Sequence, residues 1–501
     1  MWIVTRNRVR VQGSTQFLYE KTVMMIGATG SGKSTLIEGM VNHILGVKWE
    51  DNFRFKIIDI MADERARHGR QTESQTDWIT SYRVHPRHKK DSFTLNIIDT
   101  PGFGDTRGIE QDQQLVEQIR ALFTTKGVKG IETIDAICFV TQAPLARMTA
   151  TQRYIFDAIL SIFGKDMANN IVAMITFADG KEPPVLNALT QARFPYKKHF
   201  VFNNSALFES NTEGNCSRFA RMFWEMGSSS YDAFFKFLGT MKTQSLQLTA
   251  EVLNKRDELH TTIQGLVPQI DIALHELAIM KTERNLVNKF EREIKDNKNF
   301  QYEAVEFHQT QIPLQPGEYV TNCTFCHMTC HFPCYIPKDK NKYYCAAMND
   351  GICNICQKHC SWDVHVNNDY RIEVKKVTVN KTYSEMKIKY EFAEKEKVSK
   401  EHLIRSIKKK FLKVKSTVYS MLTRVRDCGN YLRHNAIKAN PLTEVEYLDL
   451  MIESELHSKN CGFEQRISML RMFRKQADLT ENAVRFDDMN KLMKHMGFDD
   501  E

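Results

Sequence analysis

Residues 23–35 read VMMIGATGSGKST. Val23 to Ile26 are four consecutive apolar residues, enough for a buried strand. Gly27-Ala28-Thr29-Gly30-Ser31-Gly32-Lys33-Ser34 then satisfies G-x-x-x-x-G-K-[ST], and Leu36, Ile37, Met40 and Val41 follow at helical spacing. A strand, a Gly-rich loop and a helix in that order make a phosphate cradle. Three glycines let the backbone curl so that its N–H groups converge on phosphate oxygens. The helix that starts there adds the positive end of its dipole. Lys33 is placed to reach the β/γ-phosphates, and the Ser34 hydroxyl to ligate Mg2+.

Outward from the loop, FRFKIID (53–59) reads as a short strand and 61–77 as a polar, mobile loop. SYRVH (81–85) and FTLNIIDTPG (93–102) read as two more strands. Asp99 sits at the carboxyl end of the second, where an α/β sheet presents its ligands. There it can hold Mg2+ through water, and the Gly102 N–H can touch a γ-phosphate. Thr76, in the polar loop just before ITSYRV, is the candidate to close onto Mg2+ and the γ-phosphate; Thr72 competes for that role. IDAICFV (134–140) and IVAMI (171–175) are buried strands, and 149–163 is an amphipathic helix with Thr149 as its cap. Asp179 follows the last of these strands, where a carboxylate accepts two hydrogen bonds from the N1–H and amine of guanine. HFVFNNSALF (199–208) is a strand running into Asn203 and Asn204.

The order GATGSGKST, SQT, DTPGFGDT, TFAD, FNNSA resembles the septin-like and immunity-associated P-loop GTPases. The second of these groups is itself similar to the chloroplast import-receptor GTPases. The resemblance covers roughly residues 18–238, under half the chain. It implies a three-layer α/β/α domain with a mostly parallel sheet. It implies that Gly27, Ala28, Thr29, Gly30, Ser31, Gly32, Lys33, Ser34 and Thr35 bind the phosphates of GTP or GDP. Thr76 and Asp99 to Gly102 would be switch elements, with Lys33, Thr76 and Gly102 serving hydrolysis. Asp179, Asn203 and Asn204 would frame the guanine. It also implies a homodimer or homo-oligomer formed across the nucleotide face.

Two residues depart from the pattern. Phe177 replaces the Lys of the usual base-reading motif, which leaves a P-loop ATPase as the alternative. Phe103 stands where a Gln orients the attacking water in Ras-type enzymes, so intrinsic hydrolysis is expected to be slow or completed by a partner's residue. The functional expectation is a guanine-nucleotide-dependent conformational or oligomerisation switch. A zinc-stabilised binding adapter with a mainly structural nucleotide domain is the other reading.

With 501 residues the length suggests about three domains, and a 42% hydrophobic content is that of a globular chain. The formal net charge of +8 permits an acidic partner without demanding one. MWIVTRNRVRVQG lacks the apolar core of a secretory signal, no run of 18 apolar residues exists, and GFDDE carries no lipidation box. The expected setting is the reducing cytosol. There clustered cysteines read as metal ligands more than as disulfides.

That matters for the second half. Residues 243–294 are rich in Glu, Lys, Arg and Leu, and Val252, Leu259, Ile263, Leu266, Ile270, Ala273, Leu277, Met280 and Val287 follow heptad spacing. This predicts either a coiled coil with a protein partner or one face packed on the chain's own helices, with a kink or break at Pro268. Cys323, Cys326, Cys330, Cys334, Cys345, Cys353, Cys356 and Cys360 follow, with His327, His331, His359 and His365 among them. Eight thiolates suit two tetrahedral Zn2+ sites, or one four-ligand site and a looser one; disulfides and an iron–sulfur cluster are the other readings. The three residues between Cys326 and Cys330 are too few for the first loop of a RING finger. YRIEVKKVTV and EMKIKYEF flank NKTYS and read as a β-hairpin, after which the chain is helical. The basic run Arg405 to Lys415 has the charge to meet anionic lipid or nucleic acid. Ile407, Phe411 and Leu412 mark a packed side and favour a solvated helix face, with nucleic acid the weaker partner. The expected divisions are 1–238 nucleotide domain, 239–300 helical arm, 301–394 zinc module with hairpin, and 395–501 C-terminal helices.

Overall fold

The computed structural model describes residues 4–7, 20–58, 78–84, 93–104, 109–125, 130–209, 218–293, 301–356, 358–382, 400–438, 444–458, 463–486, 488–496 and 498. The chain divides into two compact units. One holds residues 1–254 and 432–471, the other 255–431 and 472–501.

The first unit is built on a seven-stranded sheet. Its strands are β1 (Val4–Asn7), β2 (Glu20–Gly27), β3 (Thr80–Val84), β4 (Thr94–Asp99), β5 (Ala136–Gln142), β6 (Ile171–Thr176) and β7 (His199–Val201), in the order β1-β3-β4-β2-β5-β6-β7. β2 runs parallel to both neighbours, β4 and β5, and the sheet stays parallel through β6 and β7. Only β3 and β1 run antiparallel to their neighbours. Residues 23–26 are fully buried because both faces of β2 are covered, as a parallel strand requires.

Alternation assigns the faces. Val23, Met25, Cys138 and Val140 pack with Leu36, Ile37, Met40 and Val41 of α1 (Lys33–Ile44). In the same layer are Tyr231, Phe234 and Leu238 of the helix Arg218–Thr240. Phe139, between Cys138 and Val140, points the other way and meets Phe156 edge-on at 5.0 Å and Phe194 at 4.2 Å. Phe156 lies on the helix Ala150–Leu160. Thr149 caps that helix through a reciprocal box with Gln152, so the predicted cap is present.

At the start of β2 an ion pair is buried. Lys21 Nζ donates to Asp135 Oδ1 and to the Met241 carbonyl, both at 2.8 Å. Asp135 also accepts from the Thr22 N–H at 2.8 Å and the Thr243 hydroxyl at 2.6 Å. Its donors thus come from β2 and from the segment after the helix Arg218–Thr240.

Two sequence expectations need correction, and a third gains a partner. Residues 53–58 form no strand. The Asn42 side chain takes both backbone groups of Phe55, donating to its carbonyl at 2.7 Å and accepting its N–H at 2.8 Å. The first strand of the predicted hairpin is present and has a longer-range partner that the sequence did not suggest: Tyr370–Thr382 runs antiparallel to Gln301–Pro313, from Gln301 opposite Thr382 to Pro313 opposite Tyr370. The second predicted hairpin strand, 385–392, lies outside the described residues. The helix Gln247–Glu293 runs unbroken through Pro268, with Leu266 and Ile270 buried on either side.

In the second unit, Arg424 Nε donates to Glu258 Oε1 at 2.9 Å, and a Cβ on Gly265 would stand 3.1 Å from Met421 Cε. These contacts place the helix containing residues 258–265 antiparallel to the one containing 421–424. Leu259, Ile263, Leu266, Ala273 and Leu277 of the heptad seam are all buried within the single chain. Along the basic run Phe411 is buried, but Leu412 is exposed, so the packed side is narrower than the sequence implies.

Candidate nucleotide site

The phosphate loop is closed by backbone approach. A Cβ on Gly27 would stand 2.2 Å from the Val140 carbonyl oxygen of β5, so only glycine lets β2 end so close to its neighbour. Gly32 is left-handed, with φ of +86°, and caps α1 with no side-chain bond to the first-turn amides. Lys33 is buried, and its ammonium donates to the carbonyls of Gly27 and Ala28 at 3.1 and 3.0 Å. Burial lowers its pKa to about 8, opposed by the nearby Asp99 charge. Ser34 and Thr35 follow, half-buried in the first turn of α1.

Two braces hold the loop from the carboxyl ends of other strands. Gln142 Nε2 donates to the Gly30 carbonyl at 2.9 Å, and the Thr176 hydroxyl donates to the Ser31 carbonyl at 2.7 Å. Sequence reasoning missed both; their signal was their place as the last residues of β5 and β6. Inside the loop, Thr29 Oγ1 and Ser31 Oγ are buried with no hydrogen-bond partner among the described residues. Hydroxyls sequestered that way are costly unless a ligand takes them, and phosphate oxygens are acceptors they would serve.

β4 delivers Asp99, buried at its last position, and the Thr100 hydroxyl ties that strand end to the Met25 carbonyl at 2.8 Å. Gly102 then passes so close to Thr29 that a Cβ would fall 2.5 Å from its α-carbon. The Phe103 N–H donates to the Gly27 carbonyl at 3.1 Å, and the Thr29 N–H donates to the Phe103 carbonyl at 2.8 Å. The Phe103 ring is fully buried. Ser34, in the first turn of α1, and Asp99, at the end of β4, are residues whose oxygens could hold a metal ion. Thr76 and Thr72 lie outside the described residues.

After β6, Asp179 is exposed and its Oδ1 accepts from the Lys181 N–H at 3.0 Å. Asn203 Nδ2 donates to the Ala178 carbonyl at 2.8 Å, and this joins the segments that follow β6 and β7. Asn204 is used differently: its Oδ1 accepts from the buried Tyr231 hydroxyl at 3.0 Å, on the α1 side. Phe177 has a φ of +55° and is half-exposed, with its ring edge 3.6 Å from where a Cβ on Gly32 would be. It therefore flanks the phosphate loop at Gly32.

A phosphate loop on β2, Asp99 on β4 and Asp179 after β6 all fall within one matched stretch. Residues 21–198 are an AIG1-family domain. The chain is 27% identical over 183 residues to a translocase of chloroplast 34 homologue from Chlamydomonas reinhardtii, covering 36% of this chain and 38% of that protein. It is 26% identical over 164 residues to GTP-binding protein A from Dictyostelium discoideum, covering 33% of this chain and 29% of that one. The match therefore spans less than half the length of either relative. Toc33 from Arabidopsis thaliana in complex with GDP and Mg2+ aligns at 15% identity and a TM-score of 0.27, over 44% of this chain and 86% of that one.

Outside the AIG1 domain, the cysteines converge. Cys323, Cys326, Cys356 and Cys360 form one group, Cys330, Cys353, Cys356 and His365 a second, and His331, Cys334 and Cys345 a third. Within each group the ligand atoms lie within 4.8 Å of one another. All eight predicted cysteines take part, and His331 and His365 join them. His327 and His359 do not; both adopt positive φ, at 51° and 47°, in tight turns beside the cysteines.

Proposed function

We propose that the AIG1 domain binds GTP with Mg2+ and acts as a slow nucleotide-dependent switch. The observation that carries this reading is the loop itself. It is braced by Gln142 and Thr176, tied to Phe103, and keeps the Thr29 and Ser31 hydroxyls inside without protein partners. Gly27 to Thr35 hold the phosphates, Lys33 moves from its loop carbonyls to the β/γ-phosphates, and Ser34 and Asp99 hold Mg2+, which neutralises phosphate charge. Asp179 reads the guanine edge beside Asn203, while the Phe177 ring covers the base-side flank of the loop. Asn204 supports the site through Tyr231.

Slow turnover follows from Phe103. Its ring is buried and its backbone is bonded to the loop, so it positions no water. A second copy facing the nucleotide would supply the missing group, which makes a homodimer the proposed working form. No described helix is long and apolar enough to cross a membrane. The proposed setting is the cytosol.

A P-loop ATPase is the second reading, favoured by Phe177 in place of a base-reading lysine. Both are tested by equilibrium binding of GTP and ATP to the purified chain, beside Lys33→Ala. The expected result is preference for GTP and a loss of roughly tenfold or more in Lys33→Ala, the scale of one charge-assisted phosphate contact. Equal affinity of the two proteins would remove the phosphate-loop reading. A preference for ATP would replace the guanine reading with the second one.

A further inference from the structure

We propose that the cysteine module binds three zinc ions. Two form a binuclear cluster bridged by the Cys356 thiolate, and the third sits alone on His331, Cys334 and Cys345. The key observation is that Cys356 belongs to two ligand groups at once. Cys323, Cys326 and Cys360 surround it on one side, and Cys330, Cys353 and His365 on the other. Each side supplies three terminal ligands, so a shared Cys356 completes four-coordination for both ions. Tetrahedral coordination is what Zn2+ adopts in closed structural sites. The bridge lets these seven residues serve two full tetrahedra.

The sulfur spacing fits. With Zn–S near 2.3 Å, two thiolates on one tetrahedral zinc stand about 3.8 Å apart. Cys326 Sγ and Cys360 Sγ are 3.7 Å apart, and Cys334 Sγ and Cys345 Sγ are 3.9 Å apart. A disulfide would bring each pair to about 2.05 Å. An iron–sulfur core would hold its cysteine sulfurs apart by the width of the inorganic cluster. The 4.8 Å limit within each group leaves room for a single ion and not for that core.

The surroundings suit thiolates. The Cys326 N–H donates to Cys323 Sγ at 3.3 Å, the Ile355 and Cys356 N–H groups to Cys353 Sγ at 3.4 and 3.5 Å, and the Cys360 N–H to Cys356 Sγ at 3.3 Å. These bonds spread the negative charge that six thiolates would leave in excess on two zinc ions. The Nδ1 of His365 is 2.8 Å from the Ser361 carbonyl, which fixes the ring with Nε2 facing Cys356 Sγ at 3.9 Å. At the third group, His331 Nδ1 is 3.2 Å from Cys345 Sγ, and the Thr321 hydroxyl is 3.2 Å from Cys334 Sγ. The fully buried Lys342 ammonium donates to the Val320 and Ile336 carbonyls, both at 2.7 Å, and lies 3.6 Å from Cys334 Sγ. With three protein ligands among the described residues, this third site is the weakest holder of zinc.

The test uses the full chain, purified without chelator and analysed for zinc, iron and copper. Three zinc per chain are expected, with one removed first by a mild chelator. Cys345→Ser should retain two. Cys356→Ser leaves each bridged ion three ligands, so the mild chelator that removes only one zinc from the wild type should strip all of them from this variant. Because Cys356→Ser can unfold the module, the bridge has its own readout in the wild type after cobalt(II) replacement. Two cobalt ions sharing a thiolate couple antiferromagnetically, so the paramagnetic signal per cobalt should fall as the second bridged site fills. Two or fewer zinc in the wild type, iron in their place, or a cobalt signal proportional to cobalt content throughout would overturn the proposal.

Discussion

Thr29 and Phe103 are joined by a backbone bond: the Thr29 N–H donates to the Phe103 carbonyl at 2.8 Å, while the Phe103 N–H reaches Gly27 at 3.1 Å. The phosphate loop and the segment after Asp99 therefore form one hydrogen-bonded unit in this structure. A ligand that draws the loop inward must either carry that segment with it or break these bonds. The proposed nucleotide switch requires such coupling.

Gly102 is where that coupling is tightest. Its substitution by Ala would place a methyl 2.4 Å from Thr29 Oγ1 and 2.7 Å from the Thr29 nitrogen, and backbone cannot swing aside as a long side chain can. Overpacking of this kind costs about 1–3 kcal/mol. Nucleotide affinity of Gly102→Ala should fall roughly tenfold, measured by titration calorimetry. Unchanged affinity would mean that the loop and this segment separate freely.

Asp135 should be among the costliest positions of the domain. Asp135→Ala leaves the buried Lys21 ammonium with the Met241 carbonyl but without its carboxylate, and strips partners from Thr22 and Thr243. Removing one member of a buried pair costs about 3–5 kcal/mol. Urea unfolding should show that loss, and the paired change Lys21→Met with Asp135→Leu should recover part of it. A loss under about 1 kcal/mol would place the pair among weakly contributing surface bridges.

What could be read beforehand follows a physical division. The strand, loop and helix around 27–34 and the position of Asp99 at the end of β4 were legible because such a motif fixes residue types over a short stretch. Gln142 and Thr176 were not, because their bonds to Gly30 and Ser31 come from strands far away in sequence. FRFKIID has the apolar alternation of a strand, yet Asn42 outcompetes any neighbouring strand for the backbone of Phe55. The pairing of Tyr370–Thr382 with Gln301–Pro313 was hidden for the same reason: alternation marks a strand but does not name its partner. Cysteine spacing pointed to metal ligands, but the double membership of Cys356 depends on how the turns fold together.

Glu258 ties the second unit to pH. Its carboxylate is partly buried, which works to raise its pKa, but Lys255 at 2.8 Å and Arg424 at 2.9 Å outweigh that and hold it below the ordinary value. A carboxylate with a depressed folded pKa stabilises the fold above its unfolded value, near pH 4.5, and loses that contribution as pH falls through the folded value. Glu258→Gln should lower stability by about 1–2 kcal/mol at pH 7, since exposure and solvent screening reduce the worth of these charged hydrogen bonds. The gap to wild type should close under acid. A gap constant down to pH 3 would mean that the charge is not what matters.

Gly265 is a helix-interior glycine whose absent side chain has a structural use. Alanine is favoured over glycine by about 1 kcal/mol in a helix, so Gly265→Ala would ordinarily stabilise. Here the added Cβ would meet Ile355 Cγ2 at 2.5 Å and Met421 Cε at 3.1 Å, and Ile355 sits between Cys353 and Cys356. The crowding, about 1–3 kcal/mol, exceeds the helical gain, so Gly265→Ala should destabilise the chain. Ile355→Ala alone empties part of the contact and should also destabilise it. Combined, the two changes should fit together, with the double variant more stable than the sum of the singles by at least about 0.5 kcal/mol. Thermal unfolding of the four proteins measures that coupling. Simple additivity would show that the cysteine turn and the helix do not press on one another at Gly265.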